Sequence, residues 1–117
     1  MNQSMMEMVA EAKKIVPAIA PDKAANLLDA GDAVAIDVRN DGEVAQSGKI
    51  AGALHIPLDQ FVNIYASAAS RDKVILLYCA SGARSALAGK LLLENGYTDV
   101  HNLGAFSDWA NSGGAVE

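Results

Sequence analysis

Val74-Ile75-Leu76-Leu77-Tyr78-Cys79-Ala80-Ser81-Gly82-Ala83-Arg84-Ser85 is the stretch on which the fold turns. Val74 to Tyr78 are all apolar, β-branched or aromatic, which predicts a buried strand. Cys79 to Gly82 are small. From Ala83 the period changes: Ala83, Leu87 and Leu91 recur at i, i+4, which predicts a helix over Ala83–Asn95 with Gly96 as its cap. A strand that turns at once into a helix is half of a βαβ unit.

The rest of the chain repeats that alternation. Upstream, Ala33–Val38 (AVAIDV) predicts a second buried strand, broken by Asn40-Asp41-Gly42, and Leu54–Ile56 a short one stopped by Pro57. Phe61, Ile64, Tyr65 and Ala68 share one face of a helix. Pro21 at a first-turn position, then Ala24, Leu27, Leu28 and Gly31, predict a short helix. Met5, Met8, Val9 and Ala12 have helical spacing, so Ser4–Ile15 is expected as an amphipathic helix ended by Pro17. Downstream, Thr98–Asn102 is expected as the last strand and Ala105–Ala110 as the last helix. Alternating strands and helices predict an α/β domain whose parallel sheet is covered on both faces. In such sheets ligands bind beyond the carboxyl ends of the strands, which directs attention to the segment after Tyr78.

The 117 residues fit one domain, with 1–16 as an N-terminal helical extension. The Met-rich part of that extension (Met1, Met5, Met6, Met8) can pack on its own domain or on a second copy. A composition 51% hydrophobic and 20% charged builds a core without metal or disulfide staples. A net charge of −5 argues against nucleic acid and anionic membrane as partners. The single cysteine cannot form an internal disulfide, and the N-terminus lacks the basic start and apolar run of a signal peptide. The longest apolar run, Val74–Ala80, is far short of the ~20 residues that span a bilayer. A cytoplasmic protein is the expectation.

Chemistry concentrates in Cys79 to Ser85. Small side chains let successive backbone N–H groups turn inward as an anion cradle, and the helix that begins here adds unpaired donors and a positive dipole end. Arg84 adds a permanent cation. Helix N-termini and cations lower a cysteine pKa from about 8.5, and the donors that hold a thiolate also hold a persulfide. The bland alternative is a small buried hydrophobe at a strand end. The activated reading requires both that the loop amides face the sulfur and that the thiol be open to solvent; if either fails, a structural cysteine remains.

Cys79-x-x-Gly82-x-Arg84-Ser85 resembles the active-site loop of single-domain rhodanese sulfurtransferases. Asp37-Val38-Arg39 followed by Glu43 is similar to that family's Asp-x-Arg segment. Gly48-Lys49-Ile50-Ala51-Gly52-Ala53 with Ile56-Pro57 resembles its Gly-His-Ile-x-Gly-Ala…Ile-Pro segment. Asn102-Leu103-Gly104-Ala105-Phe106, with Trp109 and Gly113-Gly114, resembles its C-terminal Gly-Gly…Trp element. The pieces occur in order across nearly the whole chain.

The resemblance implies a rhodanese-like α/β fold: a central five-stranded, mostly parallel sheet with helices on both faces. It implies a sulfurtransferase that moves a sulfane sulfur from a small anionic donor, thiosulfate or a persulfide, to cyanide or a thiol, including a protein thiol. Cys79 would carry the sulfur as a persulfide, without metal or cofactor. The amides of Ala80, Ser81, Gly82, Ala83 and Arg84 would hold the anionic sulfur, Arg84 would close the loop, and Ser85 would donate from the first helical turn. Asp37 and Arg39 would support the site by buried or loop-bracing ion pairing. Lys49 stands where the family has His, a structural position. Neither His55 nor His101 is spaced to pair with Cys79, and Trp109 is assigned to core packing. Ala80 stands where thiosulfate-using relatives carry a cation, which weakens the field for that donor. Three other functions share these features. A Cys-x5-Arg phosphatase or arsenate reductase on the same fold needs one residue more than the four between Cys79 and Arg84. A non-catalytic binding module typically lacks the cysteine. A redox sensor would need an external resolving thiol.

Overall fold

The computed structural model describes residues 3–117; Met1 and Asn2 of the expected N-terminal extension lie outside the described residues. The elements run α1 (Met5–Ile15), α2 (Pro21–Asp29), β1 (Ala33–Asp37), α3 (Asp41–Ser47), β2 (Leu54–His55), α4 (Leu58–Ala68), β3 (Val74–Cys79), α5 (Ala83–Glu94), β4 (Val100–Ala105) and α6 (Phe106–Asn111). The sheet order is β2-β1-β3-β4 and every pairing is parallel, with Ile36 opposite Leu54 on one side and Leu77 on the other.

Among the described residues four strands form, where five were expected. The fifth place, beside β4, is filled by a single bridge at Ala18: Ile19 N–H donates to Asn102 O and Asn102 N–H donates to Pro17 O. Pro17 and Pro21 have no amide proton, so this edge cannot extend its ladder. β4 begins two residues later than the sequence suggested and runs on to Ala105, because a register shift opposite Leu77/Tyr78 lets the chain continue through Gly104.

Two apolar clusters explain why the strands are apolar throughout. On one face Val16, Phe61, Ala88 and Leu92 cover Ile36, Ile75 and Leu77; on the other Ala24, Ile50 and Trp109 cover Ala35, Leu76 and Tyr78. α1 seats against α5 through Val16, whose methyls would stand about 3 Å from a Cβ at Gly89. Trp109 is core, as expected, and its indole N–H donates to Ala115 O at 3.0 Å. Successive strands leave β1 in opposite directions, β2 to one side and β3 to the other. The crevice at the carboxyl ends of β1 and β3 is therefore the switch point of the sheet.

Candidate active site

Two loops meet at that crevice, one after β1 and one after β3. After β1, Asp37 accepts from three donors of Arg39: backbone N–H at 2.9 Å, Nε at 3.0 Å and Nη2 at 2.7 Å. Arg39 is only 3% exposed. Its remaining donors reach Ser47 Oγ at 2.8 Å and Gly48 O at 2.7 Å, and its guanidinium lies 4.3 Å over the Phe106 ring. Every face of this arginine is occupied by protein, so the pair braces the loop and offers nothing to a ligand. His55 joins the brace through Nε2, 2.7 Å from Arg39 O.

The same loop holds α3, which Asn40-Asp41-Gly42 had suggested was only a break. Asn40 Oδ1 accepts from Glu43 N–H at 2.9 Å and Glu43 Oε1 accepts from Asn40 N–H at 3.0 Å. That reciprocal pair is a capping box, which starts a helix with no buried residue of its own. It also fixes where Glu43 points.

After β3, the chain turns at Gly82, which has φ 91° and caps α5 without a side chain. The positive φ is what a side-chain-bearing residue resists, and it turns the Gly82 amide back on Cys79: N–H to Sγ is 3.0 Å. Ser85 Oγ lies 3.5 Å from Sγ. Burial opposes ionisation of this thiol and is the largest single influence. Against it act the Ser85 hydroxyl and the amides of Ser85, Ser81 and Gly82, which together hold the Cys79 pKa below its ordinary value. The Gly82 amide faces the sulfur, as the activated reading requires.

The second feature goes the other way: the thiol is sealed from solvent, as the structural-cysteine reading expects. Cys79 is 0% exposed and packs into the core beneath α5, so it forms the floor of the loop rather than its mouth. Ala80 and Ser81 are exposed, Ala83 and Arg84 are half-buried, and Gly82 and Ser85 are buried.

Arg84 also differs. Its Nη1 donates to Glu43 Oε1 at 2.6 Å and its Nη2 to Glu43 Oε2 at 2.9 Å, a two-pronged pair across the crevice. Glu43 is held down to about 2 by this guanidinium, and Arg84 is raised, first by Glu43 and then by the nearby Cys79. Arg84 closes the loop, but as half of an ion pair.

Asn102 was not among the residues singled out for the site. Its Nδ2 donates to Gly82 O at 3.0 Å, and its Oδ1 accepts from Ser85 Oγ at 2.7 Å and from Gly104 N–H at 3.0 Å. One buried amide thus ties the turn, the first helical turn and β4 together. Little in the sequence signals this, because Asn102 ends the expected strand; the structure places it inside β4, where a buried polar side chain needs partners.

A model of the rhodanese-like domain matches residues 20–112, which takes in both loops and the whole sheet. The chain belongs to the rhodanese-like domain family. It is 39% identical over 88 residues to a sulfurtransferase of Allochromatium vinosum, covering 74% of this chain and 80% of that one. Among solved structures, the polysulfide-sulfur transferase homodimer of Wolinella succinogenes superposes with a TM-score of 0.78 at 28% identity, over 93% of this chain and 83% of that one. A Rhodopseudomonas palustris protein of unknown function, called a possible tyrosine phosphatase, superposes with a TM-score of 0.80 at 29% identity, over 100% of this chain and 96% of that one. This rhodanese-like domain is thus similar to sulfurtransferases in sequence and in fold. Among the described residues no helix is long and apolar enough to cross a membrane.

Proposed function

We propose that this rhodanese-like domain is a sulfurtransferase in which Cys79 carries the sulfur. The observation that carries the reading is the Gly82 amide 3.0 Å from Sγ, with the Ser85 hydroxyl 3.5 Å from the same atom. Fixed backbone donors aimed at sulfur stabilise whichever anion sits there, thiolate or persulfide, without reorganisation.

With a thiol persulfide, the Cys79 thiolate attacks the outer sulfur of R–S–S–H. The new S–S bond forms as the old one breaks, the R–S⁻ leaving group takes the electron pair, and Cys79–S–S–H keeps the proton. With thiosulfate, the same attack gives Cys79–S–S⁻ and releases sulfite. An acceptor thiolate or cyanide then attacks the outer sulfur and returns Cys79 as thiolate. Cys79 is sealed from solvent in this conformation, so transfer requires the loop to open enough for a donor to reach Sγ.

The phosphatase reading is weaker on two grounds. The donors converge on Sγ itself, and Arg84 is committed to Glu43, which removes the free guanidinium a phosphoryl dianion requires. Intact-mass measurement after treatment with thiosulfate or cysteine hydropersulfide tests the proposal. Wild type gains one sulfur mass and Cys79→Ser gains none. Equal masses for the two proteins, or turnover of p-nitrophenyl phosphate instead, would overturn it.

A further inference from the structure

We propose that Glu43 sets the class of sulfur donor: by pairing with Arg84 it removes the net positive charge from the mouth of the loop and favours thiol persulfides over dianionic thiosulfate. This rests on the sulfurtransferase reading above and goes beyond it by naming the donor class and the residue that chooses it.

Arg84 is the one cation that the Cys79–Ser85 loop itself carries. Both of its terminal nitrogens are engaged by one carboxylate, at 2.6 and 2.9 Å. Side-chain exposures of 32% for Arg84 and 29% for Glu43 place the pair at the rim, where an entering donor passes. Arg39, the other arginine of the crevice, is cancelled by Asp37 in the same way. No cation follows Cys79 directly, since Ala80 and Ser81 are neutral, and the chain as a whole carries −5. A thiosulfate dianion thus approaches a loop whose donors are neutral amides and whose one arginine is already paired. A thiol persulfide transfers its sulfur with no more than one negative charge at the reacting end, so it loses far less from the missing cation.

Glu43 is not held there by its helix alone. The capping box needs only an acceptor at that position, and Gln serves it as well as Glu. What Gln lacks is the charge. Two unit charges about 7 Å apart near a protein surface change a rate by tens of fold, which partial exposure and salt reduce to about tenfold.

The test is Glu43→Gln, with sulfur loading of Cys79 followed by intact mass at fixed ionic strength, using thiosulfate and cysteine hydropersulfide separately. The ratio of the thiosulfate rate to the persulfide rate is expected to rise about tenfold in Glu43→Gln and to stay within about twofold of wild type in Glu43→Asp, which keeps the charge. Glu43→Ala, which also loses the cap, should move the ratio in the same direction as Gln. An unchanged ratio in a folded Glu43→Gln protein that loads normally would overturn the role of Glu43 and leave the sulfurtransferase reading intact. If wild type loads from neither donor, that reading fails and this one falls with it.

Discussion

Replacing Gly82 with alanine perturbs the turn and the sulfur at once, by separable amounts. The residue sits at φ 91°, and a Cβ built there would meet Gly104 Cα at 3.4 Å and Asn102 Nδ2 at 3.7 Å, ordinary contacts. The cost is therefore conformational rather than steric, about 1 kcal/mol for an L-residue in the left-handed region, or a fall of about 5 °C in melting temperature for a domain of this size. The chain relieves that strain by rotating the turn, which takes the Gly82 N–H off Sγ, now 3.0 Å away. A hydrogen bond to a charged acceptor contributes about 1.5 kcal/mol at the low end, equivalent to about one pKa unit. Because the Ser85 hydroxyl still lies 3.5 Å from the sulfur, the low end applies. The assay is the rate of alkylation by iodoacetamide as a function of pH. Its midpoint should move up by about one unit in Gly82→Ala, and the thiolate fraction below the midpoint should fall about tenfold. A melting temperature that drops while the alkylation midpoint stays put would refute the reasoning. The Gly82 amide would then be a packing feature rather than a support for the anion.

Two further outcomes rest on other parts of the molecule. Tyr78 is fully buried and its hydroxyl accepts from Ile50 N–H at 2.9 Å, so Tyr78→Phe should strand that amide and cost about 1–3 kcal/mol, read as a lower urea midpoint at unchanged m-value. On acidification, Glu43 contributes stability that is fully present above its unfolded value near 4.5 and is lost as pH falls towards about 2, where the folded group protonates. For a pair about one-third exposed the loss is about 1 kcal/mol, so urea titrations across that window should show a slope that is shallower in Glu43→Gln. A slope identical in the two proteins would show that other carboxylates carry it.

The strand Val74–Tyr78, the turn after it and helix α5 were legible because each carries its own local signal: apolar continuity, small residues, then a change of period. α3 was not, since seven residues with no buried position have no hydrophobic periodicity to read; only the Asn40…Glu43 spacing marks it. The position of Cys79 in the sequence told which groups surround the sulfur but not how deep it lies, because depth depends on how α5 closes over the end of β3. The Arg84–Glu43 pair was invisible for a simpler reason. The partners are 41 residues apart, and only the parallel pairing of β1 with β3 brings them together. Asn102 likewise acts across β3 and β4, from a strand read in sequence merely as the last of the sheet.

Burial and ionisation of Cys79 pull in opposite directions, and the loop shows how they are reconciled. Taking a thiolate out of water raises its energy, and a free arginine beside it is the obvious remedy. Here the arginine is paired with Glu43, so most of the compensation falls to neutral donors held in place by the backbone: a left-handed glycine, the first turn of α5 and an asparagine that clamps both. Dipoles of this kind act over a few ångströms, whereas a net charge acts over about a Debye length, roughly 10 Å. A site built from dipoles stabilises a negative sulfur once it has arrived but does little to draw an anion from solution. Discrimination between donors would then arise mainly during approach past the Glu43–Arg84 rim, and the bound persulfide would be stabilised alike whichever donor supplied it.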